Sequence, residues 1–149
     1  MLNKIQPEKK YTIGLVPHYV DKLSPWIHTI RQKFGNDCLF IDVENSANHV
    51  INEMKKCNVI VSSSLHGIIC ADSIGIPNIW CEISDKVVGK GFKFHDYNSS
   101  INYEQSPYST HELGELSNID TLISNKDNNI INNKQLEIEA LLLSCIQKY

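Results

Sequence analysis

The sequence predicts an α/β fold, a Rossmann-like parallel sheet with crossover helices, and three observations carry that prediction. Four short apolar runs rich in β-branched residues, YTIGLV, CLFID, NVIVS and PNIWC, read as strands. Segments with apolar residues at helical spacing lie between them. Proline, glycine and serine stand at the junctions, where helices need starts and stops. Strands that alternate with helices at this pace are joined by crossovers and so run parallel.

The elements follow in order. Tyr11 to Val16 is a buried strand, and the chain turns through Pro17 and His18. Pro25 to Phe34 carries Trp26, Ile27, Ile30 and Phe34 on one helical face, with Ser24 as cap, Pro25 at the first helical position and Gly35 as the stop. Cys38 to Asp42 is the second strand. Ser46 caps a helix whose apolar face is Val50, Ile51 and Met54. The strand NVIVS leads into a helix from Leu65 to Ile74, closed by Gly75, and the strand from Pro77 to Cys81 follows. Beyond Cys81 the pattern weakens. A loop around Gly89 and Gly91 gives way to a short helical element, Asn102 to Thr110 reads as polar loop, and Asn118 to Ile123 as a helical turn. SNKDNNIINN reads as a polar connection. Lys134 to Gln147 carries Leu136, Ile138, Leu141, Leu142 and Cys145 on a broad apolar face, an amphipathic helix expected to dock. The domain organisation expected is a linker-like lead, residues 1–10, and one domain over residues 11–149.

A chain of 149 residues is long enough for one self-sufficient core. The formal net charge of −3 argues against a nucleic-acid binder, which needs a basic face. No apolar run is long enough to span a membrane, and MLNKIQPEKK lacks the apolar stretch of a signal peptide. The five cysteines, at positions 38, 57, 70, 81 and 145, show no pairing motif and sit in or beside apolar runs. They are expected to be reduced and structural, in a cytoplasmic protein. Neither cysteines nor histidines show metal-ligand spacing, so no metal is expected.

The segment VSSSLHG concentrates the chemistry. Ser62, Ser63 and Ser64 join the end of a central strand to a helix start, where backbone N–H groups and the positive end of a helix dipole converge. That is an anion-binding geometry. Ser64 is the natural N-cap, reaching the N–H of Gly67, and Gly67 leaves room for a ligand to approach. The alternative is that all three serines only cap and turn the chain. His66, in the first turn, is a candidate anion clamp and a candidate proton donor or acceptor. His18 follows the first strand and so lies on the same sheet edge, with an exposed loop histidine as the alternative. Lys90 and Lys93 in GKGFKF suit a mobile basic loop over an anion, or a merely solvated one. Asp72 and Asp85 are read as solvated, and His28, His49, His95 and His111 lack convergent context.

The runs VSSSLHGIICADSIGIPNIW and GFKFHDYNSS, with VPHYVD upstream, resemble the C-terminal half of the polysaccharide pyruvyl transferase family over most of Tyr11 to Ile101. The resemblance implies the C-terminal domain of a glycosyltransferase-B-like fold, with the active site in a cleft between two Rossmann-like domains. It implies transfer of a pyruvyl group from phosphoenolpyruvate to two hydroxyls of a sugar, giving a ketal and phosphate. No cofactor is then needed beyond the donor substrate, and the partners are phosphoenolpyruvate and a saccharide acceptor. Leu65 and His66 fall where the family contacts the donor, with His66 the catalytic candidate.

The family places another domain ahead of this half, and the expectation is that this chain lacks it, MLNKIQPEKK being the end of a linker. Phosphoenolpyruvate carries about three negative charges, whereas one helix end supplies about half a positive charge. The sole arginine, Arg31, lies inside the first helix. Stand-alone turnover is therefore doubtful, and a separate chain is a candidate to supply the missing half. Two rival readings stand beside this one. A nucleotide-sugar glycosyltransferase domain would need an acid for the ribose, with Glu82 the candidate; a non-catalytic remnant or binding module would dock a partner through an apolar face.

Overall fold

The computed structural model describes residues 8–114, 119–123 and 125–146; residues 1–7 of the lead, Asn118, and the side chains of Leu142 and Cys145 lie outside the described part. Strands β1 (Tyr11–Val16), β2 (Cys38–Phe40), β3 (Cys57–Ser62), β4 (Asn78–Glu82) and β5 (Tyr108–Ser109) form one parallel sheet in the order β2-β1-β3-β4-β5. The described helices are α1 (Pro25–Phe34), α2 (Ala47–Met54), α3 (Leu65–Ser73), α4 (Phe92–Ser100), α5 (Thr110–Gly114) and α6 (Asn128–Ile146). This is the Rossmann-like α/β arrangement that the sequence predicts.

Strand order and the right-handed crossover together decide which face each helix covers. The step from β1 to β2 runs one way across the sheet, and α1 packs Ile27 and Ile30 on Ile13, Leu15, Val59 and Val61. Every later step runs the other way, so α2 and α3 cover the opposite face, where Val50, Met54 and Ala71 meet Val16 and Ile60. Alternate residues of β1 and β3 thus enter two separate cores, and Trp80 of β4 joins a third with Ile68 and Phe94. Burying each large aliphatic side chain contributes about 1.5–3 kcal/mol. Because the chain reverses its direction of travel between β1 and β3, their carboxyl ends flank the crevice where doubly wound sheets bind ligands.

The predicted elements shift in detail. β2 ends at Phe40, because Asp42 leaves the ladder to accept the Glu44 N–H at 2.9 Å. The third helix stops at Ser73, and β4 begins one residue late, at Asn78. β5 lies inside the stretch expected to be polar loop; two residues on an edge show no periodicity to read. The expected SNKDNNIINN connection is half helix, since Asp127 Oδ1 accepts the Asn129 N–H at 2.8 Å and starts α6 at Asn128. Among its described residues the tail is buried only near its beginning. Ile131 is 5% exposed, whereas Leu136, Ile138 and Leu141 are more than half exposed.

The four described cysteines are free thiols, as expected. Burial pushes Cys38 up to about 11 and Cys57 up to about 12, which holds both protonated and unreactive near neutrality. No helix among the described residues is long and apolar enough to cross a membrane.

Candidate active site

The turn after β3 sits at the carboxyl edge beside the end of β1. Ser62, Ser63 and Ser64 are all buried. Ser62 Oγ donates to the Val16 carbonyl at 2.7 Å and accepts the Ser64 N–H at 3.0 Å. Ser63 Oγ donates to Asp21 Oδ2 at 2.8 Å and accepts the His18 N–H at 3.0 Å. Both hydroxyls therefore clamp the turn to the loop after β1 and are committed to protein partners. Ser64 occupies the N-cap position of α3, but its side chain makes no cap bond. The predicted bond from Ser64 to Gly67 is absent because Ser62 Oγ fills the inside of the turn.

Gly67 has a different reason from the one expected. A Cβ there would lie 2.4 Å from Ser62 Oγ and 2.9 Å from Val16 Cγ1. The residue must be glycine so that α3 can seat against β1 and β3; the space is taken by protein, not by a ligand. The first bond of α3 runs from the Ile68 N–H to the Ser64 carbonyl at 3.1 Å. The N–H groups of Leu65, His66 and Gly67 precede it at the positive end of the helix. His66 is exposed and Leu65 half-buried at this end. His18 is half-buried, and its Nδ1 accepts the Val20 N–H at 3.4 Å. The structure thus brings His18, the serine turn and the first turn of α3 to one edge.

The loop between β4 and α4 lies beside them. Trp80 stacks on Phe94, with ring centroids 4.4 Å apart and planes 5° apart, and His95 meets Trp80 edge-on at 5.2 Å. His95, set aside by the sequence reading, therefore helps anchor this loop. Gly91 (φ +81°) presses on the Trp80 ring, where a Cβ would come within 3.1 Å. Val87 and Gly91 line a cavity of about 20 Å³ together with Ser63 and Ser84, room for about one water. Lys90 and Lys93, both exposed, ride on this stretch. Arg31 lies over the Phe40 ring, 5.6 Å from its centroid, on the β2 edge and away from the turn.

Two linked residues at this edge, Asp21 and Ser84, escape the sequence reading. Asp21 is 1% exposed, and its carboxylate accepts the hydroxyls of Ser63 and Ser84. Its neighbour Lys22 turns instead to Asp42 and Glu44. An acid just past a buried strand, followed by a serine just past the fourth strand, is the faint signal that was there.

A second polar cluster is buried at the opposite, amino edge. Asp72, read as solvated, is 7% exposed and accepts Lys126 Nζ at 2.7 Å, Tyr97 Oη at 2.7 Å and Asn78 Nδ2 at 2.6 Å. Its position in the last turn of α3 points it under the start of β4, where Lys126 closes over it. Burial pulls the Lys126 ammonium below its usual range, with Asp72 opposing; burial and the bond to Asp72 push Tyr97 up. Asp85 is exposed, as expected. Among the described residues no group of three or more His, Cys, Asp or Glu side chains is placed to hold a metal ion.

Comparison with known proteins adds the family. The model of the polysaccharide pyruvyl transferases matches residues 2–85, more than half the chain. The chain belongs to the polysaccharide pyruvyl transferase family. The match takes in His18, the serine turn, Leu65, His66 and Gly67, and ends before Lys90 and Lys93. Uncharacterized protein L143 of Acanthamoeba polyphaga mimivirus is 31% identical over 154 residues, covering 97% of this chain and 53% of that protein. Succinoglycan biosynthesis protein ExoV of Rhizobium meliloti (strain 1021) is 27% identical over 99 residues, covering 66% of this chain and 30% of that protein. The chain thus spans about half the length, or less, of these relatives. No solved structure matches it significantly.

Proposed function

We propose that this domain binds phosphoenolpyruvate at the carboxyl edge between β1 and β3, for transfer of its pyruvyl group to a saccharide of a surface polysaccharide. What supports the reading above all is that the family's match runs through the switch point of the sheet, where a free helix N-terminus and His66 share one exposed edge.

In this reading the N–H groups at the start of α3 take donor oxygens, with Ser64 beside them. Ser62 and Ser63 act by holding the turn rather than by touching the ligand. His66 gives a proton to the methylene carbon, and a sugar hydroxyl attacks the resulting cation. Phosphate then departs, and a second hydroxyl closes the ketal. Lys90 and Lys93 offset part of the donor's charge from the loop after β4. One helix end and two exposed lysines do not balance about three negative charges. The remaining cations come from a further domain or a separate chain that closes over this edge.

Incubating the protein with phosphoenolpyruvate and a galactose-bearing acceptor, and following phosphate by phosphorus NMR, tests the reaction. A domain sufficient for turnover on its own releases phosphate at a rate that falls about 10²-fold or more in His66→Ala. Perturbation of donor resonances without release supports donor binding by this chain, with turnover in a larger assembly. No perturbation at all overturns the donor reading.

A further inference from the structure

We propose that Asp21 is a positioning residue that holds the three loops of the carboxyl edge in one arrangement; this rests on the donor reading for its effect on ligand affinity. Asp21 lies in the 3-10 turn after β1, with its N–H donating to the His18 carbonyl at 2.8 Å and its carbonyl accepting the Ser24 N–H at 2.9 Å. Its backbone thereby fixes the loop after β1. One carboxylate oxygen accepts Ser63 Oγ from the turn after β3, and the other accepts Ser84 Oγ from the loop after β4. Ser84 Oγ in turn accepts the Lys86 N–H at 3.2 Å, which draws the start of the lysine-bearing loop into the same network.

The chemistry of the network favours this role over contact with a ligand. Both carboxylate oxygens are engaged, and the side chain is buried. Each neighbour it holds stands one step from a candidate ligand contact: Ser63 precedes the cap of α3, and Ser84 begins the segment that carries Lys90. A carboxylate accepts from both hydroxyls at once, one on each oxygen; an asparagine presents an amide N–H to one of them, so that bond must reverse at a hydroxyl that already accepts a backbone N–H. Replacing the carboxylate by an amide therefore weakens the hold on one loop even when the other stays held.

Hydrogen–deuterium exchange on the full chain without ligand tests the tether. Asp21→Asn and Ser84→Ala are expected to speed exchange in residues 84–91, and Asp21→Asn also at the amides of residues 65–68. Ser84→Thr, which keeps the hydroxyl, is expected to restore the wild-type pattern. Tyr97→Phe removes a hydroxyl from the other buried carboxylate and serves as a control that leaves both segments unchanged. Unchanged exchange in Asp21→Asn and Ser84→Ala overturns the proposal, and Ser84→Ala decides it where Asp21→Asn does not fold. Titration with phosphoenolpyruvate then supplies a readout that stability alone would not move. Affinity is expected to fall by about tenfold in Asp21→Asn and Ser84→Ala and to return in Ser84→Thr. Equal affinity in all variants also overturns it. If the wild-type protein binds no phosphoenolpyruvate, the donor reading falls, while the exchange result still decides the tether.

Discussion

Two carboxylates are buried at opposite edges of this sheet, and they are treated differently. At the amino edge Asp72 has a cation, Lys126, and an amide and a phenol complete its coordination. At the carboxyl edge Asp21 has two serine hydroxyls and no cation among the described residues. The first arrangement is electrically closed and ties the segment before α6 to α3 and β4. The second leaves a negative charge beneath a helix N-terminus and binds loops rather than helices. The closed cluster joins helix to sheet, and the open one joins three loops at the edge where the donor is proposed to bind.

The sharpest way to break the comparison is to make the amino edge resemble the carboxyl edge. Lys126→Met removes the cation and leaves Asp72 buried without a countercharge, an expected loss of about 3–5 kcal/mol in urea unfolding. Pairing it with Asp72→Asn should return part of that loss, because the two side chains form one unit. Ligand affinity of the folded fraction should not change. A loss below about 1 kcal/mol would mean that the Lys126 pair is only a surface ion pair.

The two edges were also unequally legible in the sequence. The strands and helices from Tyr11 to Glu82 are spelled out by apolar periodicity and by Pro25, Gly35, Ser46 and Gly75 at their ends. The VSSSLHG turn was visible because a strand runs directly into a helix there. Asp21 and Asp72 were not, since burial of an acid depends on partners that lie 42 and 54 residues away in sequence. Lys126 sits in a run of polar residues that reads as solvent-exposed, and only the fold brings it to Asp72. Gly67 was noticed for a reason that the packing replaces: the groove it leaves is filled by Ser62.

That filling makes Gly67 the next point of attack. Gly67→Ala forces a methyl group toward Ser62 Oγ and Val16 Cγ1, and both belong to buried, hydrogen-bonded backbone neighbourhoods. The expected cost is about 1–3 kcal/mol, smaller than at Lys126 because α3 can shift slightly. Here stability and phosphoenolpyruvate affinity should fall together, in contrast with the amino edge. Unfolding midpoints and donor titration on the same variant check this. An alanine variant with wild-type stability would show that α3 does not seat as closely as the structure places it.

The smallest effect tests whether the amino-edge cluster is one titrating unit. Burial and Asp72 raise Tyr97 above the ordinary tyrosine value, so below about pH 10 it is protonated in folded and unfolded chains alike. Above about pH 10 the unfolded chain loses that proton first, and the stability contributed by the Tyr97–Asp72 bond is lost as pH rises. Lys126 works with the opposite sign. Its folded value is depressed, so between that value and the ordinary lysine value the unfolded chain holds more protons and stability rises with pH. The thiols of Cys38 and Cys57, raised by burial to about 11 and about 12, also lose their protons first in the unfolded chain, so the wild-type protein should lose stability as pH rises above about 9. Tyr97→Phe should cost about 1 kcal/mol near neutrality, or about 2–4 °C in Tm, and make the fall above about pH 10 less steep. Melting temperatures taken from about pH 8 to 11 separate the two slopes. A fall equally steep in Tyr97→Phe would assign the alkaline loss to groups outside the cluster and leave the Lys126–Asp72 pair as its only titrating part.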